Sequence, residues 1–440
     1  MPAGPPPQRL VVALSGGLDS IVLLHSLQQL IEQRRIATPL LACHVNHHIN
    51  PRADQWQQFC EAFCARHGIP LEVLQLWVDT AQSAALEERA REARYLAFGR
   101  LLQDGDLLLM AHHLDDQLET LLLRLSRGAG PGGLAGMPAR RALGRGNLLR
   151  PLLDWSRPAL RDYANAQGLS WVDDDSNADV RFDRNFIRHE ILPAIARRWP
   201  DYREAWQKSQ HLCDEADRLL QVLAGQDLAT LATDHPAVID LQPMQTWDGA
   251  RRRNVLRHWL RGLGVADPGW NLLLRLSQEV LPAAQDAEAS LPWRELHLQR
   301  YRQRLYALSS ETPSGLPEPR WQPLQQATLQ LPGNGSLASE PAECGLGLSP
   351  STRLHIRYRQ GGERCRLAGR PEKTVKRLLQ EAAVPPWLRE RFPLLYVDDE
   401  LVCLPGIGVA ASHASAGQGL IIRWVPPDVY YRPTNAGQSD

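Results

Sequence analysis

The sequence of 440 residues predicts an α/β protein with a doubly wound parallel sheet, followed by a mainly helical domain and a small α+β carboxyl-terminal domain. Three observations predict this order. Short apolar runs first alternate with helical patterns, apolar residues then recur at helical spacing, and short strand-like segments follow a proline-rich stretch. The expected segments are 1–202, 203–310, a linker and strand-like connection over 311–352, and 353–440.

Composition excludes several classes of protein. Hydrophobic content of 43% and charged content of 22% are ordinary for a globular protein. No apolar run approaches the ~18 residues that span a membrane, and the proline-rich amino terminus lacks a signal-peptide core. We therefore expect a cytoplasmic location. Seven scattered cysteines without a CxxC motif do not form a disulfide framework. With a net charge of +0, binding of a polyanion would depend on local basic patches.

The first element is a strand, a glycine loop and a helix. Leu10–Leu14 is a continuous apolar run, as in a strand buried on both faces. Leu23, Leu27 and Leu30 then recur at helical spacing. The intervening loop lies where open α/β sheets bind ligands. Its residues are Ser15, Gly16, Gly17, Leu18, Asp19 and Ser20.

This loop has the chemistry of a phosphate site. Two glycines let a phosphate approach the backbone, while N–H groups, the helix dipole and the hydroxyls of Ser15 and Ser20 favour an anion. The loop matches neither GxxxxGK[ST] nor GxGxxG. An ordinary turn in which Asp19 or Ser20 caps the helix is the alternative, and it is compatible with phosphate binding. We predict that the six loop residues bind a nucleotide.

The following elements continue the alternation. Strands are predicted at Leu40–Val45, Leu71–Leu76 and Leu107–Met110, with a helix over 84–102. Because each strand is followed by a helical pattern, the sheet is expected to be parallel and doubly wound.

A second polar motif, His112–Thr120, begins where a predicted strand ends. His112 and Asp116 are one helical turn apart and can share a face. Clustered imidazoles and carboxylates suit Mg²⁺ binding and acid–base chemistry. We predict that Asp19, His112, Asp115 and Asp116 are catalytic and that Asp115 and Asp116 hold Mg²⁺. The alternative is a plain helix amino terminus with Asp115 as the cap.

Four further segments follow in order. They are the glycine-rich loop Arg124–Met137, the Arg150–Leu153 segment RPLL, the acidic turn Trp171–Asn177, and Phe182–Arg188. SGGLDS resembles the PP-loop of ATP pyrophosphatases, which bind the pyrophosphate part of ATP and have an adenine nucleotide α hydrolase-like fold. Together with HHLDDQLET and these segments, it resembles tRNA(Ile)-lysidine synthases. The DDSN…DRN pattern distinguishes this family from tRNA-thiolating relatives. The sequence has His48 where the family usually has glycine.

The resemblance implies a reaction. L-Lysine would be ligated to C2 of the wobble cytidine in the CAU anticodon of tRNA(Ile), through an adenylated tRNA, with release of AMP and PPi. ATP, Mg²⁺, L-lysine and tRNA(Ile) are the implied substrates and cofactor. The resemblance also implies that Asp183, Arg184 and Asn185 shape a substrate pocket. A helix with Glu87, Arg91 and Arg94 would face the substrate, although Glu87 and Arg91 also form an ordinary i,i+4 pair.

The carboxyl-terminal part is locally basic. Residues 353–377 contain nine arginines and lysines against two glutamates, and a helix is predicted to begin at Lys373. The pattern also resembles the carboxyl-terminal domain of lysidine synthases. We expect Arg364, Lys373, Lys376 and Arg377 to bind tRNA. Arginines interleaved with aromatic residues give the middle domain the same expected role, with solvated surface charge as the alternative.

Three other functions are alternatives to lysine ligation. A tRNA thiolase commonly uses CxxC, which is absent, and a glutamine-using synthetase needs an amidase nucleophile or partner. A non-catalytic RNA-binding protein would need neither SGGLDS nor HHLDDQ. The sequence does not determine the oligomeric state, and a homodimer is an expectation to be tested.

Overall fold

The computed structural model describes residues 6–77, 86–174, 179–265, 267–282, 289–310 and 316–430. The predictions for 175–177, for linker residues 311–315 and for the side chain of Glu87 lie outside the described residues. The chain divides into two compact units, Met1–Leu219 and Leu220–Asp440. The predicted limits at 202, 310 and 352 stay predictions.

A six-stranded sheet organises the first unit. Its strands are β1 (Arg9–Ala13), β2 (Leu40–Asn46), β3 (Leu71–Gln75), β4 (Asp106–Leu109), β5 (Arg140–Leu143) and β6 (Gly146–Leu149). Their order is β3-β2-β1-β4-β6-β5, and every pair is parallel except β5 with β6. The predicted parallel sheet is confirmed. The β5–β6 hairpin was not predicted, because its four-residue strands are too short to show a clear apolar period.

Helices cover both faces of this sheet. The helices between residues 18 and 230 are α1 (Leu18–Glu32), α2 (Ala53–Arg66), α3 (Leu86–Leu101), α4 (Leu114–Ser126), α5 (Pro131–Leu134), α6 (Arg157–Ala166), α7 (Asp183–Phe186), α8 (Leu192–Arg198) and α9 (Tyr202–Thr230), of which α1, α2 and α3 pack on the sheet. A π-helical turn, Ile187–Ile191, joins α7 to α8. Val12 packs into the core on one face and Val11 into the core on the other, both fully buried. Because β1, β4 and β6 are parallel neighbours, their carboxyl ends lie at one edge of the sheet.

The second unit begins with a small sheet and helices. They are β7 (Val238–Asp240), α10 (Gly249–Gly262), α11 (Trp270–Arg275), β8 (Ser290–Trp293), β9 (Leu296–Tyr301) and β10 (Arg304–Ser309). Their core includes Leu256, Leu272 and Leu298. The predicted basic strand over 293–308 is a hairpin of β9 and β10, which turns at Arg302 with a φ of +55°.

Strands dominate the rest of the second unit. They are β11 (Arg320–Trp321), β12 (Thr328–Gln330), β13 (Ser336–Leu346), β14 (Leu354–Arg357), β15 (Arg364–Cys365), β16 (Lys373–Thr374), β17 (Leu394–Val397), β18 (Glu400–Leu404), β19 (Gly408–Val409) and β20 (Ala414–Val425), with helices α12 (Val375–Glu381) and α13 (Pro386–Arg389). Lys373 pairs with Cys365 in a strand, so the helix begins at Val375 rather than at the predicted Lys373. Among the described residues, no helix combines the length and apolar character that a membrane crossing requires.

Candidate active site

The glycine loop between β1 and α1 requires glycine at its tightest point. Gly16 has a φ of +84°, a backbone conformation that residues with a Cβ atom rarely adopt. A Cβ atom there would lie 3.0 Å from Val172 Cγ2 and 3.2 Å from Cys60 Sγ. The Val172 N–H donates to the Gly16 carbonyl at 3.0 Å. The segment that begins the predicted acidic turn therefore packs directly on the loop.

The two serine hydroxyls brace the loop from within. Ser20 Oγ accepts from the Ser15 N–H at 3.2 Å and donates to the Gly17 carbonyl at 3.0 Å. Ser15 Oγ accepts from the Gly17 N–H at 3.3 Å. These hydroxyls therefore hold the shape of the loop, and their predicted contact with a phosphate stays a prediction.

The amino terminus of α1 is open to an anion. Its N-cap residue is Gly17, and no side chain caps the helix. The alternative in which Asp19 or Ser20 caps the helix is therefore wrong. Backbone N–H groups of the first turn of a helix have no intrahelical acceptor, and this turn follows directly after the loop at the end of β1.

Asp19 brings a carboxylate to the edge of this anion site. Its Oδ1 atom is buried and has no hydrogen-bond partner among the described residues. Its Oδ2 atom lies 3.6 Å from His113 Nε2. A desolvated carboxylate oxygen without a donor is costly, and a bound cation would compensate for it.

His113 connects the loop to α4. It is the N-cap residue of α4. The ring Nδ1 atom of His113 accepts from the backbone N–H of Asp116 at 3.4 Å, and the backbone N–H of His113 donates to Asp116 Oδ2 at 3.0 Å. Burial alone would lower the pKa of His113, but Asp19, Asp116 and Asp115 outweigh this effect and raise it. The cap is therefore not Asp115. Sequence reasoning missed His113 because histidine is not among the preferred N-cap residues.

Asp115 and Asp116 point to different partners. Asp115 accepts from Arg203 Nε at 2.9 Å and from the Arg157 N–H at 2.8 Å. Asp116 Oδ1 accepts from Arg184 Nη2 at 2.9 Å, and Oδ2 is used in the cap. Protein donors thus occupy all four oxygens. Nowhere in the described ranges do three His, Cys, Asp or Glu side chains form a group that could hold a metal ion.

The carboxylates of this site differ in how well they fit a magnesium ion. Mg²⁺ commonly binds one or two carboxylates and takes its other ligands from phosphates and water. Asp19 meets this requirement, because its Oδ1 atom is buried, lacks a donor and adjoins the open amino terminus of α1. The geometry favours Asp19 over Asp115 and Asp116 as the protein ligand.

A buried ion network lies beneath Asp116. Glu119 is fully buried, and it accepts from Arg184 Nε at 2.7 Å and from Arg188 Nε at 2.6 Å. Burial would raise the pKa of Asp116, but His113 and Arg184 outweigh it and lower the pKa. Sequence reasoning did not single out Glu119 or Arg188. Their spacing was the available signal, since Glu119 follows Asp116 by three residues and Arg188 follows Arg184 by four.

Of the three residues predicted in this segment, Arg184 contacts Asp116 and Glu119 of the network. Asp183 is 79% exposed and lies 4.0 Å from Arg127. Asn185 Nδ2 donates to the Asp179 carbonyl at 3.0 Å.

His112 is held as a neutral ring with a defined proton position. Its Nδ1 atom accepts from Arg150 Nε at 3.3 Å, so the proton of the neutral ring is on Nε2. Burial, reinforced by Arg150 and opposed by Asp116, lowers the pKa of His112 to about 4. His112 is therefore suited to donate a hydrogen bond near neutral pH.

The same shift predicts a pH dependence of stability. Between the ordinary pKa of 6.5 and the folded value of about 4, the unfolded chain holds more protons at His112, so acid destabilises the fold. Lowering the pH from about 7.5 to about 5 should cost about 2 kcal/mol through this residue. Urea unfolding of the wild type and of His112→Gln at both pH values measures the contribution of His112 to the free energy of unfolding. An unchanged pH dependence in the variant would contradict it.

The predicted arginines of α3 are exposed. Arg94 Nε donates to His47 Nε2 at 3.1 Å, and burial, reinforced by Arg94, lowers the pKa of His47 to about 4. Arg91 lies 5.7 Å from the centre of the Tyr95 ring. The neighbouring His48 has a φ of +52°, which explains why glycine suits this position.

In the second unit, acidic neighbours offset most of the predicted basic cluster. Lys373 Nζ lies 2.8 Å from Glu381, and Arg377 Nε lies 3.1 Å from the same carboxylate. Arg364 pairs with Glu372 at 3.0 Å. Lys376 is exposed and has no ion-pair partner in the part of the chain that the structure describes.

Family models match three segments of the chain. They are described as a PP-loop domain at residues 3–195, a TilS substrate binding domain at 239–306 and a TilS substrate C-terminal domain at 354–424. The first covers the sheet and the candidate site, and the other two fall within the second unit.

Relatives match almost the whole chain. The tRNA(Ile)-lysidine synthase of Alkalilimnicola ehrlichii is 40% identical over 423 residues, which cover 95% of this chain and 94% of the relative. Proteins of the same name from Coxiella burnetii and Pseudomonas syringae pv. tomato are 38% and 40% identical. These matches cover 92% and 94% of this chain, and 90% and 92% of the relatives.

Proposed function

Because the chain belongs to the tRNA(Ile)-lysidine synthase family, we propose that it joins L-lysine to C2 of the wobble cytidine in the CAU anticodon of tRNA(Ile). The cytidine O2 attacks the α-phosphorus of ATP, and the bond to pyrophosphate breaks. The ε-amine of lysine then attacks C2, the C2–O bond breaks and AMP leaves. Attack needs the lone pair of the amine, so only its neutral form reacts, and the nitrogen gives up a proton once its bond to C2 has formed.

The open amino terminus of α1 is the observation that carries this proposal. Its N–H groups and the tight Gly16 turn suit the phosphates of ATP, with Asp19 beside them. Mg²⁺ would be held by Asp19 and would neutralise phosphate charge when bound. Fixed donors aimed at phosphate oxygens stabilise the charge that develops as pyrophosphate leaves.

The histidines have separate proposed roles. The His112 Nε2–H donates to an oxygen of the reacting phosphoryl group, with Arg150 fixing the tautomer. His113 holds Asp19 and Asp116 together across the two helix termini. Asp116 and Arg184 form the wall of the site, whereas Asp115 positions α6 and α9 through Arg157 and Arg203. Asp115 is thus a positioning residue.

The proposal is tested by nucleotide release. With [α-³²P]ATP, the purified protein should form AMP only when both tRNA(Ile) and lysine are present in multiple turnover. Without lysine, label should remain on the tRNA as the adenylated intermediate. AMP formation without tRNA would contradict the proposal.

The main alternative is a tRNA thiolase, and the three buried cysteines of the first unit argue against it. Burial raises the pKa of Cys43 and Cys60 to about 12 and that of Cys64 to about 11, which disfavours the nucleophilic thiolate. Within the described ranges, the cysteines do not form a metal-binding group. Transfer of ³⁵S to tRNA from an added ³⁵S-labelled sulfur donor, in the presence of ATP, would favour the alternative.

The basic residues of the carboxyl-terminal part should contribute to tRNA affinity. Lys376 is exposed without an ion-pair partner among the described residues, whereas Lys373 and Arg377 share Glu381. We expect Lys376→Gln to weaken tRNA binding and to lower its salt slope by about 1, while ATP affinity stays unchanged. Arg364→Gln should reduce tRNA affinity less, because Glu372 already neutralises the charge of Arg364. Filter binding at several salt concentrations measures both, and equal effects would contradict the ranking. The homodimer stays a prediction.

A further inference from the structure

Three arginines converge around Tyr95 in the first unit, and the charge of a fourth lies near two of them. Arg141 of β5 lies 4.6 Å from the centre of the Tyr95 ring, and Arg91 of α3 lies 5.7 Å from it. Arg150, directly after β6, donates from Nη2 to the Tyr95 hydroxyl at 3.4 Å. Arg124 of α4 is close enough to Arg91 and Arg150 for their charges to lower its pKa further, after burial. We call Arg91, Arg124, Arg141 and Arg150 the Tyr95 arginine cluster.

The positive charge of this cluster has no acidic partner among the described residues. In the part of the chain that the structure describes, none of the four guanidinium groups forms an ion pair with Asp or Glu. Arg150 is only 4% exposed and donates to the Pro138 carbonyl, to His112 and to Tyr95. Arg124 donates to the carbonyls of Gly133 and Gly136. A buried cation without an opposite charge is costly, so an anion would stabilise this arrangement.

We propose that the Tyr95 arginine cluster is a binding site for a phosphate group of the RNA backbone, an inference that rests on the proposed function. The exposed Arg91 and Arg141 bind the phosphate, because guanidinium groups match its oxygens in a bidentate manner. The half-buried Arg124 and the buried Arg150 hold the surrounding loops and supply positive potential. Phosphate contacts of this kind set the register of a nucleic acid without reading its sequence.

The order of the strands separates this phosphate from those of ATP. The glycine loop follows β1, His112 follows β4, Arg150 follows β6 and Arg141 lies on β5. At roughly 4.8 Å per strand, the cluster is about 10–14 Å along the sheet from the glycine loop. A nucleotide whose reactive base meets ATP between β1 and β4 would have a neighbouring phosphate near β6 and β5. The RNA is thus the favoured source of the anion.

Arg141→Gln and Arg140→Gln form a matched pair of variants. Both arginines are exposed on β5 and both changes remove one positive charge. Successive side chains of a strand point to opposite faces, so only one of the pair belongs to the cluster. Filter binding of tRNA across salt concentrations and equilibrium binding of ATP, each with the full-length protein, distinguish the two phosphate sources.

We expect Arg141→Gln to weaken tRNA binding roughly five- to tenfold and to lower the salt slope by about 1, with ATP affinity unchanged. Arg140→Gln should match the wild type in both assays. Loss of ATP affinity with unchanged tRNA binding would assign the anion to ATP and overturn the proposal, as would equal losses in the two variants. The expected tRNA result in a protein that incorporates no lysine would contradict the proposed function and support the arginine site.

Discussion

Asp19→Asn is expected to lower the rate of pyrophosphate release about a hundred- to a thousandfold. The change keeps the size of the side chain but removes the charge from the buried Oδ1 atom that has no donor among the described residues. The amide would no longer balance a cation between the loop and the phosphates. Single-turnover release of pyrophosphate, with tRNA and saturating Mg·ATP, measures the effect.

Glu32→Gln provides the control for this prediction. Glu32 is the last residue of the same helix, is exposed, and accepts hydrogen bonds from the neighbouring side chains of Gln28 and Gln29. It should retain the wild-type rate. A rate for Asp19→Asn within threefold of the control would remove Asp19 from the chemical step.

Glu119→Gln should have the largest effect on stability. Glu119 is fully buried and receives hydrogen bonds from both Arg184 and Arg188. Removing its charge breaks both of these ion pairs and leaves Arg184 and Arg188 with their contacts to Asp116. Breaking a buried ion pair in this way costs about 3–5 kcal/mol. We expect this loss in the free energy of unfolding of the first unit, measured with urea.

The same substitution should also disturb catalysis, because Arg184 positions Asp116 beside His113. Glu190→Gln is the matched control, since Glu190 is exposed on the adjacent π-helical turn. A loss below about 1 kcal/mol in Glu119→Gln, or an equal loss in both variants, would show that the network contributes little to stability.

The sequence predicted the elements whose signals are local. The apolar run before SGGLDS predicted β1 within one residue, and the helical spacing of leucines predicted α1. The position of HHLDDQLET after an apolar run placed α4 beside the loop at the same sheet edge. These predictions succeeded because the carboxyl ends of neighbouring parallel strands lie at the same edge of the sheet.

The partners of each polar atom could not be predicted from the sequence. Asp115 and Asp116 are adjacent in the chain, yet one bonds to Arg203 and the other to Arg184, which belong to different helices. The hydrogen bond from Arg150 that fixes the His112 tautomer spans 38 residues. Likewise, Glu381 neutralises Lys373 and Arg377 from outside the stretch whose charges were counted. Such pairings depend on tertiary packing, which local patterns do not encode.

The central claim is most directly tested by incorporation of radiolabelled lysine into tRNA(Ile) transcripts. One transcript should have the CAU anticodon, and the other should differ only by uridine at the wobble position. With Mg·ATP, the wild-type protein should label the first transcript and not the second, and Asp19→Asn should label neither at an appreciable rate. Labelling of both transcripts, or of neither by the wild type while AMP is still released, would contradict the assignment of lysine ligation to this site.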